Sequence, residues 1–212
     1  QAVLLRLEDS NIDYLACLGD VVGYGGQPEE CCTLVRRSVD VTIRGNHDAA
    51  VSRQMDYSYY RQAAREVLDV HRSLLSDENL EWLKGLPSHS RLGDVMFCHG
   101  APPRIEDFDY LFTKQQVAPL VADYDAQAWV CFVGHSHLCK GFEYGPGGAT
   151  EMLKTRYDLR RDAKYIISAG SVGQPRDYDA RACAAVLDTD ALSFEYLRVP
   201  YDIHVASSAI RD

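Results

Sequence analysis

Through the first two-thirds of the chain, short apolar runs alternate with segments whose apolar residues recur every three or four positions. That alternation predicts strands and helices packed in layers. Residues 1–9 read as a helix and residues 14–18 as a buried strand. Pro28 suits a first helical turn and opens a helix over about 28–37. Val39, Val41 and Ile43 alternate as a strand, and residues 58–75 form a long helical stretch. Ser76 reads as the N-cap of a shorter helix, with Asp77 and Glu78 in its first turn and Gly85-Leu86-Pro87 ending it. Residues 95–98 and 129–133 are strands, with a helix at about 114–122 between them.

The last third changes character. Residues 142–144 and the turn Gly145-Pro146-Gly147-Gly148 read as a hairpin, and residues 165–168 as a strand. Residues 182–187 and 192–199 pair across Asp188-Thr189-Asp190, and a short helix closes the chain. The pattern predicts an α+β fold with two mixed sheets, the second built mainly from the C-terminal third.

The 212 residues, 46% hydrophobic and 25% charged, suit a single globular domain over 1–212. No apolar run reaches the ~18 residues of a membrane span. Gln1-Ala2-Val3 opens directly into a helix, so no signal peptide is expected. The seven cysteines form no C-x-x-C pair, and Cys17, Cys98 and Cys131 sit in strand-like apolar runs. Reduced core thiols and a cytoplasmic setting are expected. A formal charge of −9 argues against broad contact with duplex nucleic acid. It leaves room for a small phosphorylated ligand, because a bound metal supplies local positive charge. Oligomeric state is not encoded in any of these patterns.

Candidate chemistry lies just past the strands. Residues 14–18 lead to Gly19-Asp20, the next strand to Gly45-Asn46-His47-Asp48, residues 95–98 to His99-Gly100, and residues 129–133 to Gly134-His135-Ser136-His137. Ligands collect at the carboxyl ends of strands in layered α/β structures, and glycine lets the chain turn tightly there. Carboxylate, amide oxygen and imidazole without thiolate suit Mn, Fe, Zn, Ni or Co. Asp20 has two oxygens and can bridge two ions, the arrangement that activates water and neutralises a phosphoryl group.

Other residues read as structural. His71, His89 and His204 have no partner motif and are expected to be solvated or capping, and Arg44 to serve the strand end. Gly23-Tyr24-Gly25-Gly26 lacks the third glycine spacing of a dinucleotide loop. Leu138 breaks a nucleophile elbow around Ser136, which reads as a spacer. Tyr57-Ser58-Tyr59-Tyr60 reads as packing at a helix start, with a cleft wall as its rival. Arg176 could grip phosphate, or Asp177 beside it could pin its glycine-rich loop to a sheet; the sequence leaves both open.

In this order and spacing, G-D (19–20), G-N-H-D (45–48), H-G (99–100) and G-H-S-H (134–137) resemble the calcineurin-like metallophosphoesterases. "CLGDVVGYGGQPEE", "IRGNHDAA" and "GSVGQPRD" are similar to the compact prokaryotic phosphodiesterase branch. The resemblance implies a four-layer α/β/β/α sandwich and two divalent ions, with manganese the expected metal. It implies that Asp20 bridges both ions, that Asn46, His99 and His135 hold one, and that His137 helps hold the other. A hydroxide between the ions would attack a small phosphoester, most readily a phosphodiester. His47 would protonate the leaving oxygen or stabilise the phosphoryl charge, with Asp48 orienting its ring, and Asn46, His47 and Arg176 would contact the phosphate.

The family pattern also has an Asp-x-His motif on a first strand, ahead of the G-D motif, and no Asp-x-His precedes Gly19-Asp20 in this sequence. Asp9 and Asp13 flank a turn and offer no substitute. Gln1 falls just after that strand's place, and the expectation is that the natural protein carries it, because an interior strand is costly to lose. A non-catalytic binding scaffold of the same fold is the rival function.

Overall fold

The computed structural model describes residues 1–8 and 10–211; Asp9 lies outside them. The first helix, α1, spans Ala2–Glu8. Two short strands, β1 (Ala16–Cys17) and β2 (Val41–Thr42), run parallel, and α2 (Pro28–Ser38) connects them. Three helices follow: α3 (Asn46–Val51), α4 (Gln62–Leu74) and α5 (Asp77–Lys84), the last capped by the Ser76 hydroxyl as expected. The sequence placed the start of α4 at 58. In fact Asp56 accepts hydrogen bonds from the Ser58 amide and hydroxyl, which turns the chain there, and the helix begins at Gln62.

Then come β3 (His89–Leu92), β4 (Val95–Cys98), α6 (Ala118–Ala122) and β5 (Val130–Val133). A 3-10 turn over Lys114–Val117 precedes α6, whose Pro119 lies in its first turn. The remaining elements are β6 (Cys139–Gly145), β7 (Gly148–Met152), β8 (Arg156–Asp158), β9 (Lys164–Ala169), β10 (Ala182–Asp188), β11 (Ser193–Val199) and α7 (Ile203–Arg211).

The large sheet has the order β3-β4-β5-β9-β6-β7, with β4, β5 and β9 parallel and the rest antiparallel. The C-terminal sheet is β10-β11-β8. Strand alternation gives the large sheet two apolar faces. Val130 and Phe132 of β5 meet Phe194 of β11 and Ile43 in a core between the sheets. Cys131 and Val133 face the opposite way, with Phe142 and Ile166, against Val117 and Leu120. On the far side, Val3 and Leu7 of α1 pack on Ala182 and Val199. The layers run helix, sheet, sheet, helix. No described helix is long and apolar enough to cross a membrane.

Ile166 is fully buried in the centre of β9. Ile166→Ala should lower unfolding stability by about 2–5 kcal/mol, through lost transfer energy and the cavity left behind. Urea denaturation measures this; a loss under about 1 kcal/mol would mean that the outer helix layer is not packed on this sheet.

Candidate metal and phosphate site

Register brings the motifs together. In the parallel pair β1–β2, Cys17 lies opposite Thr42, so the Gly19-Asp20 and Gly45-Asn46 loops leave at one level. In β4–β5, Cys98 lies opposite Val133, which sends His99 and the 134–137 loop out side by side. Gly19 has φ +89°, and a Cβ there would fall 2.5 Å from the Gly45 amide nitrogen and the Ile43 carbonyl oxygen. Asp20, His135 and His137 also hold positive φ values of 54°, 62° and 60°, a strained conformation for residues with side chains.

Four donor atoms converge. His135 Nδ1 is 2.9 Å from Asn46 Oδ1 and 3.2 Å from His99 Nε2. His99 Nε2 is 3.2 Å from Asn46 Oδ1 and 3.4 Å from Asp20 Oδ2. Donors bonded at ~2.1 Å on neighbouring vertices of one ion's shell lie about 3 Å apart, so the cluster has the spacing of a metal shell. Asp20 Oδ2 is buried and has no hydrogen-bond partner among the described residues, the state of an atom that awaits a cation.

The second hydrogen bond of each group aims it. The His99 Nδ1–H donates to the Leu18 carbonyl at 2.6 Å, which leaves Nε2 with a free lone pair facing the cluster. Asn46 Nδ2 donates to the Tyr60 hydroxyl at 2.6 Å and turns Oδ1 inward. Asp20 Oδ1 accepts the His47 amide at 3.0 Å, which leaves Oδ2 pointing at the histidines. Burial raises the Asp20 carboxyl, but the positive charge that His99 carries when protonated, together with the His47 amide, outweighs it and holds Asp20 well below the usual carboxylate range.

His137 stands outside that four-atom group. Its Nδ1–H donates to the Gln174 carbonyl at 2.8 Å, and its ring lies edge-on to Tyr24 at 4.8 Å. His47 stacks on Tyr24 at 4.4 Å, and its Nε2 lies within hydrogen-bond distance of the Tyr24 hydroxyl, at 3.0 Å. Arg176 reaches the same hydroxyl at 3.4 Å from the rim, and its backbone amide donates to the His137 carbonyl at 3.1 Å. Of the two sequence readings of that loop, the pinning by Asp177 is seen in its ion pair with Arg198 of β11.

Asp48 requires a correction. Its carboxylate does not orient the His47 ring: one oxygen accepts the Asp20 amide at 2.8 Å and the Gly45 amide at 2.9 Å, and the other accepts Val21 at 2.9 Å and Val22 at 3.4 Å. It clamps the two motif loops together. His71 is likewise not solvated or exposed; it is buried and accepts the Gly23 amide at 2.9 Å. That bond fixes the turn on which His47 rests, where a Cβ on Gly23 would fall 1.9 Å from His47 Nδ1.

Ser136 is a spacer with a partner, its hydroxyl 2.6 Å from that of Ser168. Arg44 forms an exposed ion pair with Glu106. Sequence reasoning missed Tyr24 as the partner of His47, assigned Tyr60 to packing, and overlooked Tyr110, which stacks on His135 at 4.1 Å. Tyr24 sits in the G-Y-G-G string beside the G-D motif, which was the available signal. Tyr110 lies in a loop with no motif at all.

Asp48→Asn replaces one acceptor oxygen with an NH₂ that faces a backbone donor. We expect a stability loss of roughly 2–3 kcal/mol in urea denaturation. A loss confined to activity, with unchanged stability, would return Asp48 to a ring-orienting role.

Burial, reinforced by the positive charge of His99, pushes the His135 imidazole down to about 3. Burial and Arg176 push His137 down to about 4. Unfolded imidazoles protonate near ~6.5, so in this window the unfolded chain binds more protons than the folded one. The metal-free protein should therefore lose stability as pH falls from about 6.5 to about 4. A His135→Gln/His137→Gln variant should show a shallower fall. An equal slope in both proteins would contradict this assignment.

A family model described as calcineurin-like phosphoesterase matches residues 1–139. The uncharacterized protein MJ0912 of Methanocaldococcus jannaschii is 33% identical over 99% of this chain and 85% of its own length. A metallophosphoesterase from Sphaerobacter thermophilus has a similar structure, with a TM-score of 0.79 and 29% identity over 99% of this chain and 86% of that one. The hypothetical protein PH1004 from Pyrococcus horikoshii OT3 shares the fold, with a TM-score of 0.76 at 17% identity over 99% of this chain and 86% of that one. With its motifs at the ends of neighbouring strands and a cluster spaced for a divalent ion, the chain belongs to the calcineurin-like phosphoesterase family.

Proposed function

We propose that the protein hydrolyses a small phosphodiester with divalent metal ions, manganese foremost, held by Asp20, Asn46, His99 and His135, with His137 turned to a second ion. The observation that carries this reading is the orphaned, buried Asp20 Oδ2 facing two imidazoles and an amide oxygen at metal-shell spacing. Such ions, when bound, lower the pKa of water and neutralise phosphoryl charge.

The chain's own residues supply the rest. His47 lies next to Asn46, and its ring is held by Tyr24 and by the bare backbone of Gly23. It supplies a proton, or a hydrogen bond, to the departing ester oxygen. Burial holds the His47 ring below the ordinary imidazole range, which makes it a ready proton donor once charged. Tyr24 and Arg176 present a hydroxyl and a guanidinium to the non-bridging oxygens. Arg176 places one cation at this rim, and the chain bears a formal charge of −9. That balance favours a singly charged diester over a doubly charged monoester.

The test is hydrolysis of bis(p-nitrophenyl) phosphate and p-nitrophenyl phosphate, with and without Mn²⁺. Turnover of the diester should need added metal, and Asp20→Ala should abolish it. His47→Ala should lower kcat by about 10²–10⁴-fold, the usual worth of a placed proton donor, while metal binding persists. Tight metal binding with no turnover of either ester under Mn, Fe, Zn, Ni or Co would favour the scaffold.

A further inference from the structure

Two thiols outside the metal cluster form a group of their own. Cys139 opens β6, two residues after His137, and Cys183 lies in β10. Their sulfurs are 3.1 Å apart although the residues are 44 positions apart in the chain. Gly170 holds φ +83° directly over them: a Cβ there would fall 2.9 Å from each sulfur and 2.8 Å from the Cys183 Cβ. The backbone can approach the pair only because that residue is glycine. Arg198 Nη2 donates to Cys139 Sγ at 2.9 Å and also pairs with Asp177. Cys139 is half-buried, which gives a small oxidant an approach, whereas Cys183 is buried.

The other close pair differs in each respect. Cys98 and Cys131 are 3.7 Å apart, both buried in the core beneath α6. Cys98 has the Phe132 carbonyl as its neighbour rather than a cation.

We propose that Cys139 and Cys183 are a modification site for a peroxide, which joins them in a disulfide and ties the segment bearing His135 and His137 to β10. The sulfurs must close by about 1 Å to reach bonding distance. One sulfur attacks the peroxide O–O bond and becomes a sulfenic acid, and the other peroxide oxygen leaves as water. The second sulfur then displaces the hydroxyl as a second water, so two thiols and one hydrogen peroxide give one disulfide and two waters. Arg198 sits where negative charge on sulfur develops. A disulfide of this kind in a reducing setting is a transient, oxidant-responsive state. The site does not depend on the phosphoesterase reading, because it rests on the thiols and their neighbours alone.

The experiment treats the reduced, folded protein with hydrogen peroxide, removes the oxidant, alkylates with iodoacetamide in denaturant and maps the peptides by mass spectrometry. The Cys139–Cys183 cross-link should form at least ten-fold faster than any other pair, while Cys98 and Cys131 remain alkylatable. Dithiothreitol should reverse it, and the oxidised protein should melt at a higher temperature because the link closes a long loop. Arg198→Gln should slow formation several-fold without removing it. Cys183→Ser should leave no cross-link at Cys139, its folding checked by circular dichroism. Two results would overturn the proposal: Cys139 and Cys183 alkylating as readily after peroxide as before, or both reaching sulfinic acid with no cross-link.

Discussion

The site depends on the Asp48 carboxylate. It draws backbone amides from Asp20, Val21, Val22 and Gly45 onto its two oxygens and so binds together two loops that are 25 residues apart in their motif positions 20 and 45. A buried carboxylate is tolerable only with such a set of donors, and this one is fully buried. With the loops locked, Asp20 accepts the His47 amide and Asn46 reaches the same point as Asp20. The two close-packed glycines, Gly19 and Gly45, make the junction possible because side chains there would strike the opposite loop.

The large sheet contributes the other half. Parallel pairing puts the ends of β4 and β5 level, and the Leu18 carbonyl orients His99 from the far loop. Each candidate donor is thus aimed by a bond made elsewhere: Leu18 for His99, Tyr60 for Asn46, the His47 amide for Asp20 and Gln174 for His137. Such outer partners fix tautomer and orientation before any ion arrives. The four converging donors and His47 are therefore parts of one hydrogen-bonded unit.

Much of this was legible in the sequence. The strands at 95–98 and 129–133, the Ser76 cap and the second sheet from the C-terminal third follow from periodicity and end signals that packing reinforces. The strand β3 was hidden because His89-Ser90-Arg91-Leu92 lies at a sheet edge, mostly exposed, and needs no apolar face. The strand β8 was hidden for the same reason. Motif order identified Asp20, Asn46, His99 and His135, which the fold brings into contact. It could not assign Asp48, whose role depends on which backbone amides face it, nor Tyr24, Tyr60 and Tyr110, which arrive through packing. His71 misled because an isolated histidine on a helix carries no sign of the turn packed against it.

The four converging donors are expected to bind a divalent ion. Crystals of the protein grown with Mn²⁺ and measured at a wavelength where manganese scatters anomalously give the direct answer. An anomalous peak is expected within about 2.0–2.3 Å of Asp20 Oδ2, Asn46 Oδ1, His99 Nε2 and the His135 ring. A map with manganese elsewhere, or with only water among these four groups, would contradict it.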